Sequence, residues 1–335
     1  MLFELPRFRH VDAATMAKAA GLLREHGEEA AVIAGSTDLL ALLKDRVQGP
    51  ELKIPQVLIN IKPIPECNRI GEYEGGLRIG ACVTLARLTN SDLVRERVPA
   101  LGQAAAQVGT TQLRNMGTLG GNLCQRPRCM YFRHPEFLCF KKGGTKCFAV
   151  AGEHRDYHAV LQAGKCVMAH PSDTAPALIA LNAEAVIADA EGERTVPLRA
   201  FFAGPDSRRE TLMRPDQFLK EIRVPSPGPA SRQVFLKHRV RHAADFALAS
   251  VAAVAVVAGG ICREISLVLG GVAPLPVVAL GAAELLKGMR LEESLIAQAA
   301  EAALAGARPL HGNRYKIELA KNLVRRALVL IAGRA

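Results

Sequence analysis

Five of the chain's eight cysteines fall in one 43-residue stretch, spaced Cys124-x4-Cys129-x9-Cys139-x7-Cys147-x18-Cys166. The stretch is polar and loop-like, and no regular apolar period runs through it, so it is expected to lack a core of its own. Clustered thiolates in such a segment point to iron or zinc. Zinc is usually gripped by C-x2-C knuckles, and none occurs here. Wide spacings suit the four corners of a cubane, and a set of scattered buried thiols is the third reading. A disulfide framework fits poorly, because an odd number leaves one thiol over. Cys67, Cys82 and Cys262 stand in or beside apolar segments and read as core.

Two glycine-bearing turns accompany the cysteines. Val32-Ile33-Ala34-Gly35-Ser36-Thr37-Asp38-Leu39 reads as strand, small-residue turn, helix. Such a turn offers backbone N–H groups and a helix start to an anion. Gly117-Thr118-Leu119-Gly120-Gly121-Asn122 is the second, and the pair fits a diphosphate gripped from two sides; an ordinary strand–helix turn and a tight hairpin are the plain alternatives. Lys237-His238-Arg239-Val240-Arg241-His242 is either a solvated strand end or a cationic contact to a ring or phosphate. Glu153, His154 and His158 lack regular flanks and read as surface residues. No Ser-His-Asp or Cys-His arrangement and no supported carboxylate pair stands out, so the chemistry reads as that of a cofactor.

The elements that would position these groups follow from periodicity. Residues 11–27 read as a helix capped by Asp12, Ala30–Ala34 as a strand, Leu39–Asp45 as a helix and Val57–Ile61 as a buried strand. Leu77–Ala81 alternates as a strand, Leu85–Leu88 opens a helical turn, and residues 91–109 read as helix. Ala185–Ala188 and Arg194–Leu198 form a hairpin around Glu191-Gly192. Pro, Gly and Ser over residues 225–231 mark a linker. Beyond it, Phe246–Ala258 and Ile265–Leu269 read as antiparallel strands, and residues 291–305 and 313–332 as amphipathic helices.

The 335 residues suffice for two domains with sizeable cores, and 49% hydrophobic with 22% charged residues describes a globular protein. The net charge is +11, but the cations are dispersed and aromatics make up only 4%, which argues against nucleic acid and for a solvated surface, an acidic partner subunit or an anionic cofactor. The longest apolar run, Phe246 to Gly260, is too short for a membrane span, and the first residues form no apolar signal core.

The two turns, together with Gln112-Leu113-Arg114-Asn115-Met116 before the second, resemble those of the FAD-binding subunit of molybdenum hydroxylases, the medium-subunit family of xanthine and carbon monoxide dehydrogenases. The resemblance spans the whole chain. It implies an α+β fold: residues 1–224 as a PCMH-type FAD domain, made of a small α/β unit and a mixed β-sheet unit, then residues 225–335 as a smaller domain with an antiparallel sheet and helices. It implies flavin contacts at Val32 to Leu39, Thr118 to Asn122, Asp173, Leu219 and Lys237. Ser36 departs from the family, which more often has Gly there. The cysteine segment, residues 124–168, resembles the inserted 4Fe–4S loop of aldehyde oxidoreductase flavin subunits and of 4-hydroxybenzoyl-CoA reductase β subunits. That likeness implies Cys129, Cys139, Cys147 and Cys166 as ligands and Cys124 as a bystander. Phrases such as Gln125–Phe132 and Phe246–Ala252 look closer to the aldehyde oxidoreductase branch. The implied partners are a molybdopterin large subunit, a 2Fe–2S small subunit and an external electron acceptor. The implied role is electron transfer from the 2Fe–2S clusters through FAD. The implied compartment is the cytoplasm, or the periplasm by co-export with a partner bearing a Tat signal.

Overall fold

The computed structural model describes residues 4–228 and 230–333. Three sheets organise it. The first is parallel, in the order β1-β3-β2, from β1 (Arg9–Asp12), β2 (Ala30–Ile33) and β3 (Val57–Asn60). Val57 of β3 lies opposite both Arg9 and Ala30. Helix α1 (Met16–His26) buries Ala19, Ala20 and Leu23. The expected cap at Asp12 is corrected: Thr15 caps α1 by accepting from the Lys18 N–H. Asp12 instead ends a strand and accepts from Asn60 Nδ2 at 2.8 Å, because residues 9–12 pair with β3. Helix α2 (Leu39–Lys44) follows β2 after the first small-residue turn.

The second sheet holds β4 (Ile70–Tyr73), β5 (Gly76–Gly80), β6 (Glu184–Ala188), β7 (Glu193–Pro197) and β8 (Phe218–Pro225), in the order β4-β5-β8-β6-β7. Every neighbouring pair is antiparallel, which narrows the expected mixed sheet to an antiparallel one. Between β5 and β6 come α3 (Leu85–Asn90), α4 (Asp92–Arg97), α5 (Pro99–Ala106), α6 (Thr111–Met116), α7 (Leu119–Leu123), the cysteine loop with α8 (Met130–Arg133), and α9 (Thr174–Ala180). The single helix expected over 91–109 is broken at Val98, whose backbone leaves the helical region before Pro99 opens α5.

The linker at 225–231 carries the chain from β8 to the third sheet; residue 229 lies outside the described residues. That sheet is antiparallel, in the order β12-β11-β10-β9, from β9 (Ser231–His238), β10 (Ala249–Ala258), β11 (Ile261–Gly270) and β12 (Val277–Val278). The helices α10 (Leu280–Leu286), α11 (Glu293–Ala303) and α12 (Tyr315–Ala332) join it in one apolar core. The helices α5 and α9 also pack on its strands, which joins the two halves of the chain. Among the described residues no helix is long and apolar enough to cross a membrane.

Candidate cofactor site

A groove of about 450 Å³ opens beside the first sheet. Val32, Ile33, Ala34, Gly35, Ser36, Thr37, Asp38 and Leu39 line it from the β2–α2 side, Thr118, Gly120 and Gly121 from α7, and Leu219 from β8. The two turns meet directly, since a Cβ on Gly35 would fall 2.2 Å from the Met116 carbonyl oxygen. Ser36 adopts φ +59°, the left-handed region that favours glycine. The structure therefore accounts for this departure as a backbone demand that Ser meets at some strain.

The turns differ in what they can offer an anion. At the second, the N–H groups of Leu119 and Gly120 donate to the carbonyls of Val83 and Ala81, each at 2.8 Å. Those of Gly121 and Asn122 donate to Thr118, through its hydroxyl and its carbonyl. The expected second N–H cradle is thus corrected: these donors are already used. At the first turn, no protein acceptor takes the N–H groups of Gly35, Ser36, Thr37, Asp38 or Leu39 among the described residues. Unsatisfied N–H groups at a groove wall suit a phosphate. Lys53, Arg126, Arg208, Arg209 and Arg214 also line the groove, the four arginines paired with Glu210, Glu51, Glu28 and Asp189 in turn. Sequence reasoning missed this set; the adjacent pair Arg208-Arg209 in a polar loop was its available signal.

Leu119 and Asn122 do not line the groove. Leu119 is a core residue, and the Asn122 carboxamide oxygen accepts from the hydroxyls of Ser172 and Thr174 at 2.6 and 2.7 Å. Asp173 and Lys237 also lie off the groove wall, buried as an ion pair at 2.6 Å. Burial raises the Asp173 carboxyl and Lys237 opposes that rise. Lys237 Nζ further donates to the Gln107 carbonyl at 3.1 Å, so the start of the basic run is a buried tie between β9 and the end of α5.

The cysteine loop begins at the groove. Asp38 leaves its own helix uncapped and turns its carboxylate outward, to Arg128 at 2.8 Å, Arg133 at 2.6 Å and the Arg126 N–H at 2.7 Å. Burial lowers Arg128 to about 10, and Asp38 opposes that fall. Contrary to expectation, the loop does build a small core: Tyr131, Phe132, Cys129, Cys139 and Ala149 are buried with Leu42 and Val47 of the first unit. The rings of Tyr131, Phe137 and Phe148 pack together, and such aromatic contacts need no helical period to form. His154 and His158, read as surface residues, are buried; burial and Lys316 lower His158 to about 4.

Cys129 and Cys139 share one buried cluster with Cys147 packed on it, Cys166 sits with Phe140 and Met168, and Cys124 packs on a different core. Nearby backbone N–H groups favour the thiolate form at four of them: Tyr131 and Phe132 at Cys129, Lys141 and Lys142 at Cys139, Ala149, Val150 and Val167 at Cys147, and Met168 at Cys166. Burial pushes the Cys129 thiol up to about 11 and raises Cys139, while a sulfur–sulfur hydrogen bond lowers Cys147 to about 6 and raises Cys166. Cys124 receives no such N–H, and burial carries it to about 12. Among the described residues no three His, Cys, Asp or Glu side chains converge tightly enough for a single ion. A cubane spreads its ligands more widely, and N–H groups that favour the thiolate form suit sulfurs bound to one.

Residues 6–227 match the family described as "FAD binding domain in molybdopterin dehydrogenase", and residues 235–330 the "CO dehydrogenase flavoprotein C-terminal domain". The chain belongs to the FAD-binding subunits of molybdenum hydroxylases. It is 33% identical to the aldehyde oxidoreductase FAD-binding subunit PaoB of Escherichia coli, over 94% of this chain and 95% of that protein. It is 29% identical to the carbon monoxide dehydrogenase medium chain of Hydrogenophaga pseudoflava, over 96% of each. A solved structure of carbon monoxide dehydrogenase from that organism superposes with a TM-score of 0.79 at 27% identity, covering 99% of this chain and 100% of the other. FAD binding is thus a property of the family to which this chain belongs.

Proposed function

We propose that this chain is the FAD- and 4Fe–4S-carrying electron-transfer subunit of a molybdenum-containing aldehyde oxidoreductase. One observation carries the reading. Beside a groove whose first turn keeps free N–H groups, Cys129 and Cys139 share one buried cluster with Cys147 packed on it, Cys166 sits with Phe140 and Met168, and Cys124 packs on a different core. The likeness to an aldehyde oxidoreductase subunit supports the substrate class of the complex. Gly35 to Leu39 would receive the diphosphate of FAD, flanked by Arg208 and Arg209. When bound, FAD exchanges electrons singly with iron–sulfur clusters and in pairs with an acceptor. This chain's residues supply the anion site, the dry loop and the thiolates. A molybdopterin large subunit and a 2Fe–2S small subunit are its partners, and an external acceptor takes the electrons. The complex resides in the cytoplasm, or in the periplasm by co-export with a Tat-bearing partner; cell fractionation of the assembled enzyme separates the two.

The test is metal and flavin analysis of the complex. Cubane stoichiometry predicts about four iron atoms per chain beyond the partner's clusters. Cys129→Ser, Cys139→Ser, Cys147→Ser and Cys166→Ser should each lose that iron, and Cys124→Ser should keep it. Loss with Cys124→Ser and retention with Cys129→Ser would overturn the ligand set. Zinc in place of iron would overturn the cluster while leaving the flavin groove intact.

A further inference from the structure

One buried side chain of the loop points at a cysteine sulfur. His158 Nε2 lies 3.3 Å from Cys129 Sγ, and both residues are buried. The other ring nitrogen, Nδ1, is buried with no partner among the described residues. The backbone behind the ring is fixed from the opposite end of the chain. The His158 carbonyl accepts from Lys316 Nζ at 2.9 Å and from Asn313 Nδ2 at 3.4 Å. Lys316, wholly buried, also donates to the carbonyls of Asp156 and Gly271, each at 2.7 Å.

A neutral imidazole has one N–H to place. On Nδ1 it would be an orphaned buried donor. On Nε2 it meets the sulfur and leaves only a lone pair unused, which costs less. A thiolate bound to metal has no S–H of its own, so the sulfur must be the acceptor. We infer that His158 donates a hydrogen bond to the cluster thiolate of Cys129 and thereby raises the reduction potential of the 4Fe–4S group, an inference that rests on the cluster reading above. Reduction adds negative charge that spreads onto the ligand sulfurs. An N–H aimed at one of them stabilises the reduced form more than the oxidised one. His158 acts through Cys129 as a positioning residue.

The whole complex is prepared with the native chain, with His158→Leu and with His158→Gln. Iron is counted, and the 4Fe–4S midpoint potential is read by redox titration followed by EPR, at temperatures that separate its signal from those of the 2Fe–2S clusters. His158→Leu should keep its iron and show a more negative potential. His158→Gln, which retains an N–H, should stay near the native value. Native iron content and native potential in His158→Leu would overturn the inference. Should His158→Leu shed the cluster, His158→Gln decides: retained iron at a near-native potential supports the donor role, and loss in both variants refutes it in favour of ring packing. Absence of this iron from the native complex defeats the cluster reading itself and the inference with it, a result read before any variant.

Discussion

Gly35, Gly120 and Gly121 answer different demands. A Cβ on Gly35 would meet the Met116 carbonyl oxygen at 2.2 Å, and one on Gly120 would meet the Ala81 Cβ at 2.8 Å. A Cβ on Gly121 would meet only the Thr118 hydroxyl, at 3.1 Å, and otherwise faces the groove. Flavin loss is therefore diagnostic only at the last. Gly121→Val should leave the thermal midpoint of the protein close to native and abolish flavin retention. Gly120→Val should lower the midpoint as well, since overpacking costs about 1–3 kcal/mol. Full flavin occupancy in Gly121→Val would remove α7 from the binding wall. The sequence exposes both turns as small-residue motifs but makes them look equivalent. They are not, because two of the acceptors that use up the second turn's N–H groups, Ala81 and Val83, come from a distant segment.

At the scale of elements, periodicity revealed the amphipathic helices and the β6–β7 hairpin, and missed β8 and β9. Strand β8 is central and buries residues on both faces, so it shows no clean alternation. Strand β9 is an edge strand with only Val234, Phe235 and Leu236 in its middle. Asp12 looked like a cap because its pairing partner lies 48 residues away. The hairpin has a consequence for the groove. Asp189, at its turn, accepts from the Gln217 carboxamide at 2.9 Å and from Arg214 at 3.1 Å, and both donors line the groove. The Gln217 hydrogen bond foremost, then the Glu191 and Gly192 N–H groups at the turn, hold the Asp189 carboxyl below its ordinary value of 3.8. A depressed carboxyl stabilises the fold fully above its unfolded value, and the contribution disappears as pH falls through the lower folded value. Flavin release should rise on acidification below 3.8, and Asp189→Asn, which keeps an acceptor oxygen, should flatten that rise. Identical release curves for the two proteins, followed by flavin fluorescence, would show that the hairpin does not support the groove.

For the whole molecule, the question is what docks a loop that carries so much chemistry. Its spacing made the cysteines conspicuous, but its small aromatic core follows no helical period and its anchors are contacts with residues far along the chain, so both were invisible. One buried anchor is Glu210. It lines the groove and pairs with Arg126 at 2.7 Å and Lys141 at 3.1 Å. Lys141 is in turn close enough to the Cys166 sulfur to act on it electrostatically. One carboxylate thus joins the flavin groove to the cysteine loop. The side chains of Glu210 and Lys141 are each only 2% exposed, whereas that of Arg126 is 20% exposed and can turn to water. Glu210→Ala should therefore cost roughly 3–5 kcal/mol, mostly by stranding the Lys141 charge. Lys141→Met alone should be milder, and Glu210→Ala combined with Lys141→Met should recover much of the loss. The thermal midpoint of the assembled protein and protease nicking within residues 124–168 would both report it. Simple addition of the two single losses would mean that Glu210 and Lys141 act independently, and that the groove and the loop are held together by Asp38 and its arginines instead.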